Sequence, residues 1–260
     1  MTAQIRFSFL KSKSALKAFG IGMLLSIAPL LQPTAQAETE PLIVAELFTS
    51  QGCSSCPAAD KLLQSLATDA NVLALSIHVD YWDYLGWKDK LARPEFSDRQ
   101  RNYARYRGDR MVYTPQMIIN GNQHVVGNNE GEVEAAIRNA PAMTAQVDIQ
   151  RTHMGIKVVV TGELPKGYEI ATIVLASIQD EETVTIERGE NAGRKVTYAN
   201  VVNDIQPIGL WSGGSAKFSM PKSELMRLHS DKCAILVQLE RDEGPGRIIG
   251  ANALRWKQES

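Results

Sequence analysis

The stretch from residue 42 to residue 67 constrains this chain more than any other. Leu42-Ile-Val-Ala-Glu-Leu-Phe48 is apolar except for Glu46, and it runs through Thr49-Ser-Gln-Gly52 into Cys53-Ser-Ser-Cys56. An apolar run of that kind reads as a strand buried on both faces of a sheet. Pro57 suits a first helical turn, and Ala59, Leu62, Leu63, Leu66 and Ala67 then recur at helical spacing. The cysteines therefore fall at a helix N-terminus, where unpaired N–H groups and the helix dipole favour an anion, here a thiolate. Because the thiolate is the attacking species, Cys53 reads as a nucleophile and Cys56 as the residue that resolves a mixed disulfide. A static disulfide and half of a zinc site compete with that reading. Zinc wants four ligands, and the chain has no second Cys pair or spaced His pair.

The compartment follows from the N-terminus. Arg6, Lys11, Lys13 and Lys17 precede an apolar stretch from Ala18 to Leu31, and Ala35-Gln36-Ala37 stands before Glu38. This is the pattern of a secretory signal peptide over residues 1–37, cleaved after Ala37. Its apolar part is short and broken by Gly20, Gly22 and Pro29, so no membrane anchor is expected from it. Removing it takes four of the 28 Lys and Arg and none of the 29 Asp and Glu, which leaves a net charge of −5. An acidic exported chain is a poor nucleic-acid binder, and no later stretch is apolar enough for a membrane helix. The expected location is periplasmic or secreted, where disulfides form and persist. The three cysteines, Cys53, Cys56 and Cys233, are an odd set, so either one is a buried, inert thiol or the set is redox-active, with Cys233 as a third redox partner. Cys233 shares its strand face with Ile235, Val237 and Leu239 and reads as an inert core thiol.

Further along, a second apolar strand from Val72 to Val79 completes a β-α-β unit. Tyr81-Trp-Asp-Tyr84 follows, then a polar, mainly helical segment from Lys88 to Arg110 that carries six arginines. Those arginines read as a solvated, salt-bridged face rather than as a guide for acidic substrates. Thr114-Pro115-Gln-Met-Ile-Ile-Asn-Gly121 and Gln123 to Val126 read as a hairpin, and Val133, Ala136, Ile137 and Ala140 mark a helix stopping before Pro141. This closes an α/β domain over residues 38–142. Residues 145–150, 156–161, 170–178, 195–202, 216–220 and 234–240 favour strands, with a short helix near 223–228 and turns at Gly213-Gly214 and Gly244-Pro245-Gly246. Residues 143–260 are therefore expected to form a second, β-sandwich-like domain.

The apolar strand, the Cys-x-x-Cys at a helix start and the later Thr-Pro before an apolar strand resemble the thioredoxin superfamily over residues 40–141. That resemblance implies a thioredoxin-like N-terminal fold, a cis peptide at Pro115, and a substrate-binding role for Thr114 and Pro115. From the residues alone, the start of an edge strand is the lesser alternative for Pro115. Glu46 lies near where thioredoxins keep a buried carboxylate that relays a proton to the second cysteine, which implies a catalytic role for it. Burial would raise its pKa toward the range of a working base; a carboxylate paired with a neighbouring cation is the alternative. Leu47-Phe-Thr-Ser-Gln-Gly-Cys-Ser-Ser-Cys-Pro-Ala-Ala-Asp60, Val79-Asp-Tyr-Trp-Asp83 and Arg188-Gly-Glu-Asn-Ala-Gly-Arg194 are similar to a secreted bacterial family known only as a domain of unknown function. That similarity spans nearly the whole mature chain and implies no reaction.

Three departures from ordinary thioredoxin stand out: Ser54-Ser55 between the cysteines, Gln51-Gly52 where a Trp is common, and a long insertion before Pro115. Ser54 and Ser55 bring no positive charge to lower the thiol pKa further, so strong oxidant behaviour is not expected. Tyr81, Trp82, Tyr84 and Trp87 read as core or interdomain packing, with a peptide groove as the alternative. His78 and His124 raise a copper site of two thiolates and an imidazole, at a poorly matching spacing. The expected function is an exported thiol–disulfide oxidoreductase without a cofactor, acting on protein or small thiols or on a redox protein through Cys53, Cys56 and Glu46. A non-enzymatic binding module with a structural disulfide, and a copper-handling protein, are the alternatives.

Overall fold

The computed structural model describes residues 42–228, 230–241 and 244–256. The expected signal peptide and its cleavage site at Ala37 lie outside the described residues. Strand β1 (Ile43–Thr49) leads through the cysteine loop into α1 (Cys56–Leu66), and β2 (Val72–His78) returns parallel to β1. Helix α2 (Pro94–Arg107), strands β3 (Gln116–Ile119) and β4 (Gln123–Val126), and α3 (Glu130–Arg138) follow. Then come β5 (Ala145–Thr152), β6 (Gly155–Gly162), β7 (Ala171–Thr185), β8 (Lys195–Trp211), β9 (Ala216–Pro221), α4 (Lys222–Arg227), β10 (Lys232–Arg241) and β11 (Gly244–Arg255). The result is a mixed α/β protein with one large sheet and few helices.

That sheet has eight strands in the order β11-β10-β7-β8-β2-β1-β3-β4, and a second sheet has three in the order β5-β6-β9. The division expected at 142 and 143 does not separate two sheets. Strand β8 pairs in parallel with β2 at Val201 and Ser76, so strands from both halves share one hydrogen-bonded ladder. The described residues accordingly form one compact unit. The physical reason is in β2, whose seven residues are all buried and which needs a neighbour on the side away from β1. A hydrogen-bonding edge buried without a partner would strand its N–H and C=O groups, and β8 supplies that partner.

Side-chain alternation assigns the faces. Val44 and Phe48 of β1 join a core with Phe96 and Tyr103 of α2, Ala176 of β7 and Leu236 of β10. Ala45 and Leu47 point the other way, onto Ala59 and Leu63 of α1 and Val133 and Ala136 of α3. At the other end, Ile173 of β7 and Ile235 of β10 share a core with Val147, Val158 and Phe218 of the three-stranded sheet. One strand, β11, was not expected, because Gly244-Pro245-Gly246 at its start reads as a turn. Gly250 is a point of close approach: a Cβ there would lie 2.7 Å from the Ala145 carbonyl oxygen.

Glu46 sits in β1 with its side chain fully buried. Arg99 Nε donates to its Oε1 at 2.7 Å, and the Tyr103 hydroxyl donates to Oε2 at 2.6 Å. Arg99 also donates to the Tyr103 oxygen at 2.9 Å, as does Gln238 Nε2 of β10 at 2.6 Å. This network ties β1, α2 and β10 together across the former domain division. Removing one partner of a buried ion pair typically costs about 3–5 kcal/mol. Arg99→Met is expected to lower unfolding stability in urea by an amount of that order and to move near-UV circular dichroism and tryptophan fluorescence together in one transition.

Candidate functional site

Cys53 and Cys56 form a disulfide with a Cα–Cα distance of 5.4 Å. Cys53 is 2 % exposed and Cys56 is fully buried, while Ser54 and Ser55 between them face solvent. Two tight turns build the loop: Cys53 N donates to the Ser50 carbonyl and Cys56 N to the Cys53 carbonyl, both at 3.2 Å. Ser55 caps α1 without a side-chain hydrogen bond, and Pro57 occupies the first turn, as its fixed φ allows.

Distant segments hold this loop in place. Gln51 N donates to Asp89 Oδ2 at 2.8 Å, and the same oxygen lies 2.8 Å from His78 Nδ1. Trp87 Nε1 donates to Gln51 Oε1 at 2.8 Å. Asn191, in the turn between β7 and β8, donates through one amide nitrogen to the carbonyls of Gln51 at 2.9 Å and Cys53 at 2.8 Å. Trp82 closes over Gly52, where an added Cβ would lie 3.1 Å from the Trp82 Cβ, and donates from Nε1 to Thr114 Oγ1 at 2.8 Å. The Thr114–Pro115 peptide is cis. Gly127 N donates to the Pro115 carbonyl at 2.9 Å, and a Cβ on Gly127 would press on Leu47, Pro115 and Ala59. The cysteine loop and the Thr114–Pro115 loop are thus joined through Trp82 on one side and through Gly127 and α1 on the other.

Glu46 does not serve the cysteines. It lies between Ala45 and Leu47, which face α1, so strand alternation turns it to the opposite side of the sheet, onto Arg99 and Tyr103. Burial pushes the Tyr103 hydroxyl well above its usual pKa, the Arg99 charge opposing that rise, so Tyr103 stays a donor to the Glu46 carboxylate.

The acid beside the disulfide is Asp60. It stands one helical turn beyond Cys56, on the buried side of α1 with Ala59 and Leu63, and is 4 % exposed. Residues at that spacing are neighbours on a helix face. Thr49 Oγ1 donates to Asp60 Oδ1 at 2.7 Å. Burial pushes its carboxyl up to about 7, against the lowering effect of that hydrogen bond and of His78. Asp89 differs: burial would raise it, but His78 and the N–H groups of Gln51 and Leu91 hold it below the ordinary carboxylate range. Asp60 was readable in principle, as an acid placed on the apolar stripe of a helix. Asn191 carried no local signal beyond its motif, because its two acceptors lie some 140 residues away.

The other expected residues scatter. Cys233 is fully buried in the core between the two sheets, and burial pushes its thiol up to about 11, which leaves it a poor nucleophile. Both nitrogens of His78 are engaged, Nδ1 by Asp89 and Nε2 at 3.3 Å from Ser76 Oγ, while Nδ1 of His124 lies 2.9 Å from the Tyr113 hydroxyl. Among the described residues no group of three or more His, Cys, Asp or Glu is placed to hold a metal. Tyr81, Trp82 and Trp87 are partly buried and Tyr84 is 77 % exposed.

A mixed α/β protein with a buried disulfide at a helix start and a cis-proline loop beside it is the class that these features define. The chain belongs to the family described as "Protein of unknown function (DUF1223)", which matches residues 44–238. A crystal structure of a protein from Agrobacterium tumefaciens is similar at 34 % identity and a TM-score of 0.75, covering 86 % of this chain and 98 % of that one. HBP35 of Porphyromonas gingivalis shares the fold at 12 % identity and a TM-score of 0.56, covering 83 % of this chain and 75 % of that one. No curated protein matches.

Two outcomes follow from the site. With its folded-state pKa raised, Asp60 holds a proton more tightly in the native protein than in the unfolded chain. Its contribution to stability is present below pH 3.8 and is lost as pH rises through about 7. Asp60→Asn is expected to flatten the decline of urea midpoint over that window. Asn191→Leu strips hydrogen bonds from two loop carbonyls and should cost about 1–3 kcal/mol, read in the same unfolding assay.

Proposed function

We propose that this protein catalyses thiol–disulfide exchange on exported proteins, using Cys53 and Cys56 on a thioredoxin-like N-terminal half. The carrying observation is a disulfide at a helix N-terminus with a buried carboxyl, near neutral in pKa, one turn behind it. The signal-like residues 1–37 support action in the periplasm or outside the cell.

In the oxidising direction, a substrate thiolate attacks Sγ of Cys53, the Cys53–Cys56 bond breaks, and Cys56 leaves as a thiolate. Asp60 delivers its proton to that thiolate, in place of the role sequence had pointed to at Glu46. A second substrate thiolate then attacks the substrate sulfur of the mixed disulfide and releases Cys53. Two electrons pass from the substrate dithiol to the pair, and the substrate leaves as a disulfide. The reverse sequence reduces a substrate disulfide, with Cys53 attacking and the carboxylate of Asp60 accepting the proton of Cys56. Unpaired N–H groups at the start of α1 favour the thiolate forms. Thr114 and the cis Pro115 offer backbone beside the pair for a substrate strand.

A second reading, a binding module with a locked disulfide, is favoured by the low exposure of both cysteines and by the bonds that fix their loop. Thiol labelling across a graded redox buffer separates the two. Exchange requires the pair to cycle, whereas a bond that stays oxidised below about −300 mV is structural. Cys56→Ser should trap mixed disulfides with exported proteins. In single-turnover oxidation of a dithiol peptide, the wild-type rate should show an inflection near pH 7 that Asp60→Asn removes.

A further inference from the structure

Beginning at Pro57, the residue after Cys56, α1 and the start of β8 line an open cleft of about 390 Å³. One wall is Pro57, Asp60, Lys61 and Gln64, a single stripe of α1 that begins next to Cys56. The other is Arg194 to Thr197. Three cations, Lys61, Arg194 and Lys195, therefore face a cleft whose acid, Asp60, is buried and bonded to Thr49. Among the described residues none of the three cations has an ion-pair partner. Glu187 and Glu190 belong to the same turn but do not line the cleft.

The turn that carries Arg194 and Lys195 is tied to the cysteine loop. Arg194 N donates to the Asn191 carbonyl at 3.2 Å, and Asn191 in turn grips the carbonyls of Gln51 and Cys53. The turn that presents Arg194 and Lys195 is thus fastened to the redox loop itself. On a chain whose mature charge is −5, a basic cleft is a departure from the background field, and such departures choose partners by charge.

We propose that this cleft seats an acidic stretch of the substrate polypeptide beside its reacting cysteine. The proposal rests on the exchange reaction and names its substrate class: proteins with Asp or Glu flanking the exchanged thiols. Asp60 keeps its proton when such a stretch binds, since added negative charge disfavours its ionisation.

The test is single-turnover oxidation of dithiol peptides of equal length, acidic or basic around the cysteines, by the oxidised protein. Wild type is expected to oxidise the acidic peptide about 10-fold faster at low salt, with the advantage shrinking as salt rises. The triple variant Lys61→Ser, Arg194→Ser, Lys195→Ser should bring the ratio close to one, while Arg188→Ser, outside the cleft, should keep it. Equal rates for the two peptides in wild type, or a preference that survives the triple variant, overturn the cleft's role and leave the exchange reaction standing. No oxidation of either peptide, together with a Cys53–Cys56 bond that does not cycle in the labelling titration, overturns both.

Discussion

The parallel contact of β2 with β8 at Ser76 and Val201 is the joint on which the architecture turns. It places a strand from the later, β-rich part of the chain beside the strands that build the cysteine loop, and so makes one sheet of eight strands. Strand β8 begins six residues before that contact, and the turn leading into it lies over the cysteine loop. Asn191, Arg194 and Lys195 are placed by that pairing together with the β7–β8 ladder, which begins at Thr185 and Lys195.

Charge is buried on both faces of the sheet, and the two faces treat it differently. On the α2 side, Glu46 has a guanidinium and a hydroxyl at hydrogen-bond distance, so it is a satisfied structural ion. On the α1 side, Asp60 has one hydroxyl donor, and burial lifts its pKa to about 7 against the lowering effect of Thr49 and His78. Two buried acids are thereby satisfied in different ways. In the proposed exchange reaction it is therefore Asp60, rather than Glu46, that carries the proton.

Much of the site was legible locally. The apolar run before Cys53, Pro57 after Cys56 and the helical spacing of Ala59, Leu63 and Leu66 are near-neighbour patterns, and they form β1 and α1 where the spacing puts them. The strand segments after residue 143 were also legible, although β7 and β8 run to 15 and 17 residues and the start of β11 reads as a turn. Glycines at 246 and 250 mark places where another chain segment comes close, and sequence does not distinguish that from a turn.

The sequence by itself placed the Cys-x-x-Cys pair at a helix start, the Thr-Pro segment before a strand and Cys233 on an apolar strand face, because each pattern depends on residues within a few positions of one another. Only the tertiary structure decided that the halves share a sheet, that Glu46 belongs to Arg99 rather than to Cys56, and that Asn191 holds the cysteine loop. Those outcomes depend on which strand pairs with which and on which face a side chain leaves, and a one-residue change of parity reverses the latter. Periodicity specifies a strand; its neighbours are chosen by burial of the whole chain.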